Sequence, residues 1–273
     1  MNASLAVLGW TDLAATIVLA GGLFFAALIV APSESGRRWR WRAVAALAVV
    51  LPAEFCVTAL RMYEVSGLHG RVLVLDLLRT RWGLLWMGRS AGVALLAAGG
   101  SLPAGPLAAL AAAWLVLRSF QGHAGAHGMV PALVDWLHLL AAAAWLGSLV
   151  QLALLPRPVP VAIAARVRVL ATVALALLVP AGAYAAFLHV PHLHLFTESP
   201  YGKTLIAKLV LAAVLMALGA VNHFGHVPAM RRGEPEAETS LVRAVRFEVL
   251  VGTLVLALTA LLGVLPMPHG HAP

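Results

Sequence analysis

Asp135 and His138 stand three residues apart inside an apolar stretch that otherwise suits lipid, within the segment Phe120–Gly147, FQGHAGAHGMVPALVDWLHLLAAAAWLG. On a helix they share one face with Ala142 and Trp145, so a carboxylate and an imidazole point together into whatever that face packs against. A carboxylate beside an imidazole with an empty ring nitrogen is suited to hold a metal ion or a proton. Just upstream, a short Gly/His loop adds His123 and His127.

The elements that must position this stripe follow from composition. Of 273 residues, 62% are hydrophobic and 11% charged, with a mean hydropathy of +0.92, which describes an integral membrane protein. At about 20 residues per span, the length accommodates roughly eight helices and leaves no room for a sizeable soluble domain. The spans are expected at Gly9–Ala31, Ala43–Met62, Trp82–Gly99, Pro106–Phe120, Pro131–Leu155, Val167–Leu188, Gly202–Val227 and Val245–Leu265. The first reads as an anchored helix, since no basic region precedes it, and the mature chain is expected to start near Met1.

The formal charge of +8 does not indicate nucleic acid, because the Lys and Arg residues sit in short runs between apolar segments. Three such runs (Arg37, Arg38, Arg40 and Arg42; Arg157, Arg166 and Arg168; Arg231, Arg232, Arg243 and Arg246) alternate with the spans as cytoplasmic connections would. Both termini are then outside, against which Arg61, Arg71, Arg79 and Arg81 form a dissenting outer group. The single cysteine, Cys56, permits no intramolecular disulfide and reads as a packing residue.

Laid together, the third and seventh spans reveal a repeat. Thr80-Arg81-Trp82-Gly83 followed by Arg89 matches Ser199-Pro200-Tyr201-Gly202 followed by Lys208, and Leu51-Pro52 resembles Val179-Pro180. An all-α bundle of two parallel four-helix halves, residues 1–120 and 121–273, is the expected architecture.

The GHA loop, the DWLH and WLG of the fifth span, the SPYG and Lys208 of the seventh, Asn222-His223 and Pro228 beyond it, and the Glu248-led eighth span ending at Pro266 together resemble the copper resistance protein D (CopD) family. The resemblance is strongest from Gly122 to Pro266 and implies an inner-membrane protein handling copper between periplasm and cytoplasm. It also implies a small periplasmic CopC-like copper-binding partner, here expected as a separate chain.

With copper in view, the histidines gain a role. His69, His123, His127, His189, His192, His194, His269 and His271 all fall at the outer side, where imidazoles, with Met62, Met129 and Met267, would gather the ion. Loop histidines are also tolerated at any polar interface. Beneath them lie Asp135, His138, Glu54, Arg89 and Lys208, with Asp12 a lesser candidate; the two cations either neutralise Glu54 or Asp135 structurally or take part in coupling. His223 and His226 stand at the inner end of the seventh span, as exit ligands or interfacial caps.

Two other classes compete with a copper conduit: a b-type cytochrome with haem between two helix-borne histidines, and an assembly factor that holds copper without moving it. Gly88-Arg89-Ser90-Ala91-Gly92 spells GxSxG but sits in a span, where it serves as a packing face and not as a nucleophile elbow. With no P-loop and no HExxH, the chain is not expected to be an enzyme.

Overall fold

The structure, a computed structural model, describes residues 2–190 and 192–266. They form α1 (Asn2–Leu28), α2 (Glu34–Ser66), α3 (Gly70–Arg79), α4 (Arg81–Ala98), α5 (Ala104–Gln121), α6 (His123–Ala126), α7 (Met129–Ala153), α8 (Val161–His189), α9 (Leu195–Glu198), α10 (Pro200–Val221), α11 (Val227–Arg231) and α12 (Ala237–Leu262). Among the described residues there is no strand. Six helices, α1, α2, α7, α8, α10 with its continuation, and α12, are long and apolar enough to cross a membrane; α4 and α5, 18 residues each, stand where two further spans were expected but are not among these six. The chain is an all-α, multi-pass membrane protein.

Several boundaries differ from those read in the sequence. The second span begins at Glu34 and not at Ala43, because Ser33 caps it by accepting from Gly36 N at 3.1 Å and Arg38 pairs with Glu34 one turn away. Arg37, Arg38, Arg40 and Arg42 are therefore on a helix. The dissenting Arg group likewise lies on helix: Arg61 ends α2, Arg71 and Arg79 ride on α3, and Arg81 opens α4. Cys56, read as a packing residue, is exposed on α2.

The motif shared by the third and seventh spans is a helix-start device. Thr80 and Ser199 cap α4 and α10 by accepting from Gly83 N at 3.0 Å and Gly202 N at 2.9 Å. A Cβ at Gly83 or Gly202 would overlap the carbonyl of Leu77 or Leu195, so the short helices α3 and α9 rest directly on these glycines.

Helices α1 and α7 form the centre, each packed against the other and against both α5 and α12. Small residues permit the close approach: Ala141, Ala143 and Ala144 are buried on α7, and a Cβ at Gly147 would lie 2.5 Å from the Gly21 Cα. Packing then recurs pairwise, α1 on α2 as α7 on α8, α4 on α5 as α10 on α12, and α1 on α12 as α7 on α5. Trp10 donates its indole N–H to Thr253 O at 3.3 Å, and Trp136 donates to Ala112 O at 2.8 Å, from matching places on α1 and α7.

Two ends of the bundle follow from this path. At the first end, Arg81 donates to Gly125 O at 2.9 Å, and the His127 and His189 rings meet. At the second, Ser33 donates to Leu154 O at 3.2 Å and Arg166 to Ile29 O at 2.9 Å.

Candidate functional site

His138 is carried by α7 into the contact with α8, where its ring lies on Gly182: a Cβ there would stand 3.3 Å from His138 Cε1 and 3.7 Å from Nδ1. Nδ1 is buried and makes no well-aligned hydrogen bond among the described residues, although the Leu178 backbone lies within reach of the ring. A buried polar atom left in this state costs stability unless something else engages it. Lys208 of α10 lies within electrostatic reach of both His138 and Asp135, and Arg118 also lies within reach of Asp135. No ion pair within 4.0 Å involves Asp135 or Lys208 among the described residues. The stripe thus combines an imidazole, a carboxylate and an ammonium that balance one another at a distance.

The other intramembrane charges are tightly joined. Asp12 is fully buried on α1 and accepts from Arg89 of α4 through one oxygen and from Arg118 Nε of α5 through the other, at 2.8 Å for the latter. Arg89, only 1% exposed, also donates to Gln121 Oε1 at 2.7 Å and lies 3.6 Å from Glu54 Oε2. Two acids and two arginines thus neutralise one another, as buried charges in lipid require. Asp12, the lesser candidate in the sequence, is the centre of the cluster. A signal for it existed: Trp10-Thr11-Asp12-Leu13 matches Trp136-Leu137-His138-Leu139, so Asp12 occupies in α1 the place of His138 in α7.

At the first end the histidines gather in pairs. His127 and His189 meet edge to face at 5.6 Å between ring centres, and His192 and His194 stack at 5.7 Å. His189 Nδ1 donates to Ala185 O at 2.7 Å, and its ring stacks near Tyr201. His69 is exposed beside α3. The side chain of His123 and residues Met267, His269 and His271 lie outside the described residues. Among the described residues, no three His, Cys, Asp or Glu side chains come close enough to hold a metal ion together.

At the second end α10 leaves α-geometry at Val221 and passes through a π turn, Asn222–His226, before α11. Pro228 has no N–H to offer the Phe224 carbonyl, which loosens the ladder there. The turn brings His226 Nδ1 to Asn222 Oδ1 at 2.6 Å, while Asn222 Nδ2 donates to Glu248 Oε1 of α12. An amide oxygen only accepts, so His226 carries its proton on Nδ1 and the chain of donation runs His226 to Asn222 to Glu248. His223 points elsewhere, to Thr172 Oγ1 at 3.4 Å, and lines a cavity of about 270 Å³ bounded also by Trp145, Arg168, Gly219 and Glu248. The two histidines read as a joint exit site therefore face different surroundings, and Asn222 and Glu248 join the site from the same motif.

With this geometry in place, residues 161–262 match the family described as copper resistance protein D. Over that segment, a little more than a third of its length, the chain resembles the CopD family. It is 27% identical over 169 residues to the copper transport protein CutJ of Bacillus subtilis (strain 168), a match covering 58% of this chain and 30% of that protein. It is 31% identical over 147 residues to copper resistance protein D of Pseudomonas syringae pv. tomato, covering 48% of this chain and 47% of the relative. The chain thus spans less than half the length of these curated relatives. No solved structure matches.

The CopD segment contains His189, His192, His194, Lys208, the Asn222–His226 turn and Glu248, whereas Asp135 and His138 precede it on α7. In the packed bundle they meet it, His138 on Gly182 of α8 and Asp135 within reach of Lys208 on α10. Chemically, residues 121–266 offer paired imidazoles at one end, a buried imidazole below them, and a buried carboxylate beside a cavity at the other end. The first half offers a closed ion-pair cluster.

Proposed function

We propose that this protein moves copper ions between periplasm and cytoplasm across a bacterial inner membrane, with copper as its substrate and no enzymatic reaction. The observation that carries the reading is His138: a membrane-embedded imidazole whose buried Nδ1 makes no well-aligned hydrogen bond among the described residues, next to a carboxylate, beneath two surface histidine pairs. An open imidazole nitrogen is a good copper ligand, and paired imidazoles with few further donors suit an ion that must be passed on. The printed names of the two relatives, a copper transport and a copper resistance protein, support the choice of metal.

Orientation follows from charge. The second end carries Arg37, Arg38, Arg40, Arg42, Arg157, Arg166, Arg168, Arg231, Arg232, Arg243 and Arg246, which favours it as the cytoplasmic side and leaves both termini periplasmic. The first-end pairs His127/His189 and His192/His194 then face the periplasm, where a CopC-like chaperone on a separate chain would deliver copper. His138 with Asp135 receives the ion within the bundle. Lys208 opposes a cation there, so the site releases readily.

The test is copper uptake by proteoliposomes loaded with a copper-sensitive dye, combined with metal analysis and an absorption spectrum of the purified protein. Uptake by the wild type and its loss in His138→Ala are expected. A strong Soret band in the purified protein would overturn the reading in favour of a haem protein.

A further inference from the structure

The second end contains a buried acid with no counter-charge. Glu248 is 1% exposed, accepts one hydrogen bond from Asn222, and forms no ion pair among the described residues. Asp12, equally buried, holds two arginines. A carboxylate taken out of water without a cation is costly, and in a membrane bundle such a group marks an ion path more often than a packing solution.

The pairwise recurrence of the helix packing offers a comparison for this acid. The indole bonds Trp10 to Thr253 and Trp136 to Ala112 fix equivalent levels on α12 and α5. Counting back five residues from each sets Glu248 opposite Leu107, which is buried and apolar. Where the first half seals its interior with leucine, the second places a carboxylate at the wall of a cavity of about 270 Å³. Gly219 keeps that wall open, since a Cβ there would stand 3.7 Å from Trp145 and 4.0 Å from Glu248 Oε2.

We infer that this cavity is a second cation station, at which Glu248 and His223 hold a copper ion in transit from His138 to the second end. This rests on the copper reading above. Both side chains line the cavity, and Arg168, a cation on the same wall, donates to the His223 carbonyl and forms no ion pair with Glu248 within 4.0 Å among the described residues. Water takes about 30 Å³, so the space admits an ion that keeps part of its hydration shell and needs only two protein donors. Trp145 links the stations: it lies two turns from His138 on the same face of α7 and lines the cavity. Asn222, fixed by His226, holds the other oxygen of Glu248 and so orients the carboxylate.

The test uses the full chain in nanodiscs, titrated with copper alone, as Cu(II) and as Cu(I) from a chelator of known affinity. Wild type should bind two ions, His138→Ala one, and Glu248→Gln one, with the remaining affinity of Glu248→Gln for the lost ion down by about tenfold or more. Glu248→Leu, the residue found at the equivalent level of α5, should lose the same ion while keeping or raising the melting temperature. A wild type that binds one ion, removed by His138→Ala and untouched by Glu248→Gln, would overturn the second station and leave the copper reading standing. Two ions in Glu248→Gln at unchanged affinity would also overturn it, as would a Glu248→Leu protein that melts well below both wild type and Glu248→Gln. No copper bound by any variant would remove both proposals.

Discussion

Gly21 of α1 and Gly147 of α7 meet backbone to backbone, each occupying the space where a side chain on the other would have to go. The contact lies between the helices that bear Asp12 and the Asp135/His138 stripe, so their spacing depends on two missing methyl groups.

Substituting either glycine should therefore be costly. Gly21→Ala places a Cβ on the Ala143 carbonyl, a backbone atom that cannot swing away. A loss of about 1–3 kcal/mol per substitution is expected, with Gly21→Val worse. Gly105→Ala adds the same methyl on α5 where nothing lies within 4 Å, and should change stability by less than about 0.5 kcal/mol. Thermal melting followed by fluorescence-detected size exclusion compares the three; equal melting temperatures would show that the crossing is not tight.

Asp12 anchors the first half. Asp12→Asn leaves Arg89 and Arg118 facing an amide, and breaking a buried pair of this kind costs about 3–5 kcal/mol. Adding Arg89→Gln should recover part of the loss, since a charge is removed along with its partner. Melting of the single and double variants decides this, and copper uptake per folded molecule should change little in either.

The helices were legible in the sequence because apolar length and turn residues are local properties. A long helix lies over each apolar stretch, though with shifted ends and with six long and apolar enough to cross a membrane, and the Thr80 and Ser199 caps with their glycines were visible as a repeated motif. What was not legible depended on partners. Arg89 on α4 takes Asp12, 77 residues away on α1, and helix spacing within α4 carries no information about that choice. The π turn at Asn222 was hidden for a related reason: a proline directly after an apolar span, here Pro228, signals an end or a bend, but the contact with Glu248 lies on another helix that local sequence does not reveal. The Arg-rich termini of α2, α8 and α12 read as loops because charge was taken as a loop signal, whereas in the structure they extend helices beyond the apolar span.

Topology is open to direct labelling. With exposed Cys56 changed to Ser, single cysteines at the exposed Ser35 and Ala126 should react with a membrane-impermeant maleimide from opposite faces, Ala126 from the periplasm. Labelling of both from one side in intact cells would refute the eight-crossing path.

The surface histidines should act as two collectors and not as one. His192→Ala with His194→Ala should slow uptake at low copper by a few fold, as should His127→Ala with His189→Ala, because either pair leaves the other in place. The quadruple variant should lose most low-copper uptake while regaining it at high copper, where capture no longer limits the rate. Complete loss in either double variant would contradict independent pairs.

The decisive variants concern His138, Asp135 and Lys208. If copper engages the open Nδ1 of His138, then His138→Ala should abolish uptake and leave a folded bundle, since the ring makes no well-aligned hydrogen bond through that atom and rests on Gly182. Asp135→Asn keeps shape and an acceptor but removes the charge that offsets Lys208, so copper affinity should fall by about 10–100-fold. Lys208→Met removes the opposing charge instead and should bind copper more tightly while passing it more slowly, because release is no longer assisted. The structural alternative predicts a different pattern: if Asp135 serves only to neutralise Lys208, Asp135→Asn should depress folding, and Lys208→Met in the same chain should restore both stability and uptake. Arg89 is already committed to Asp12, so Arg89→Met should give no such rescue. Inserted yield, melting temperature and uptake measured on the same preparations separate the two accounts, and normal uptake by well-folded His138→Ala would take this imidazole out of the copper path.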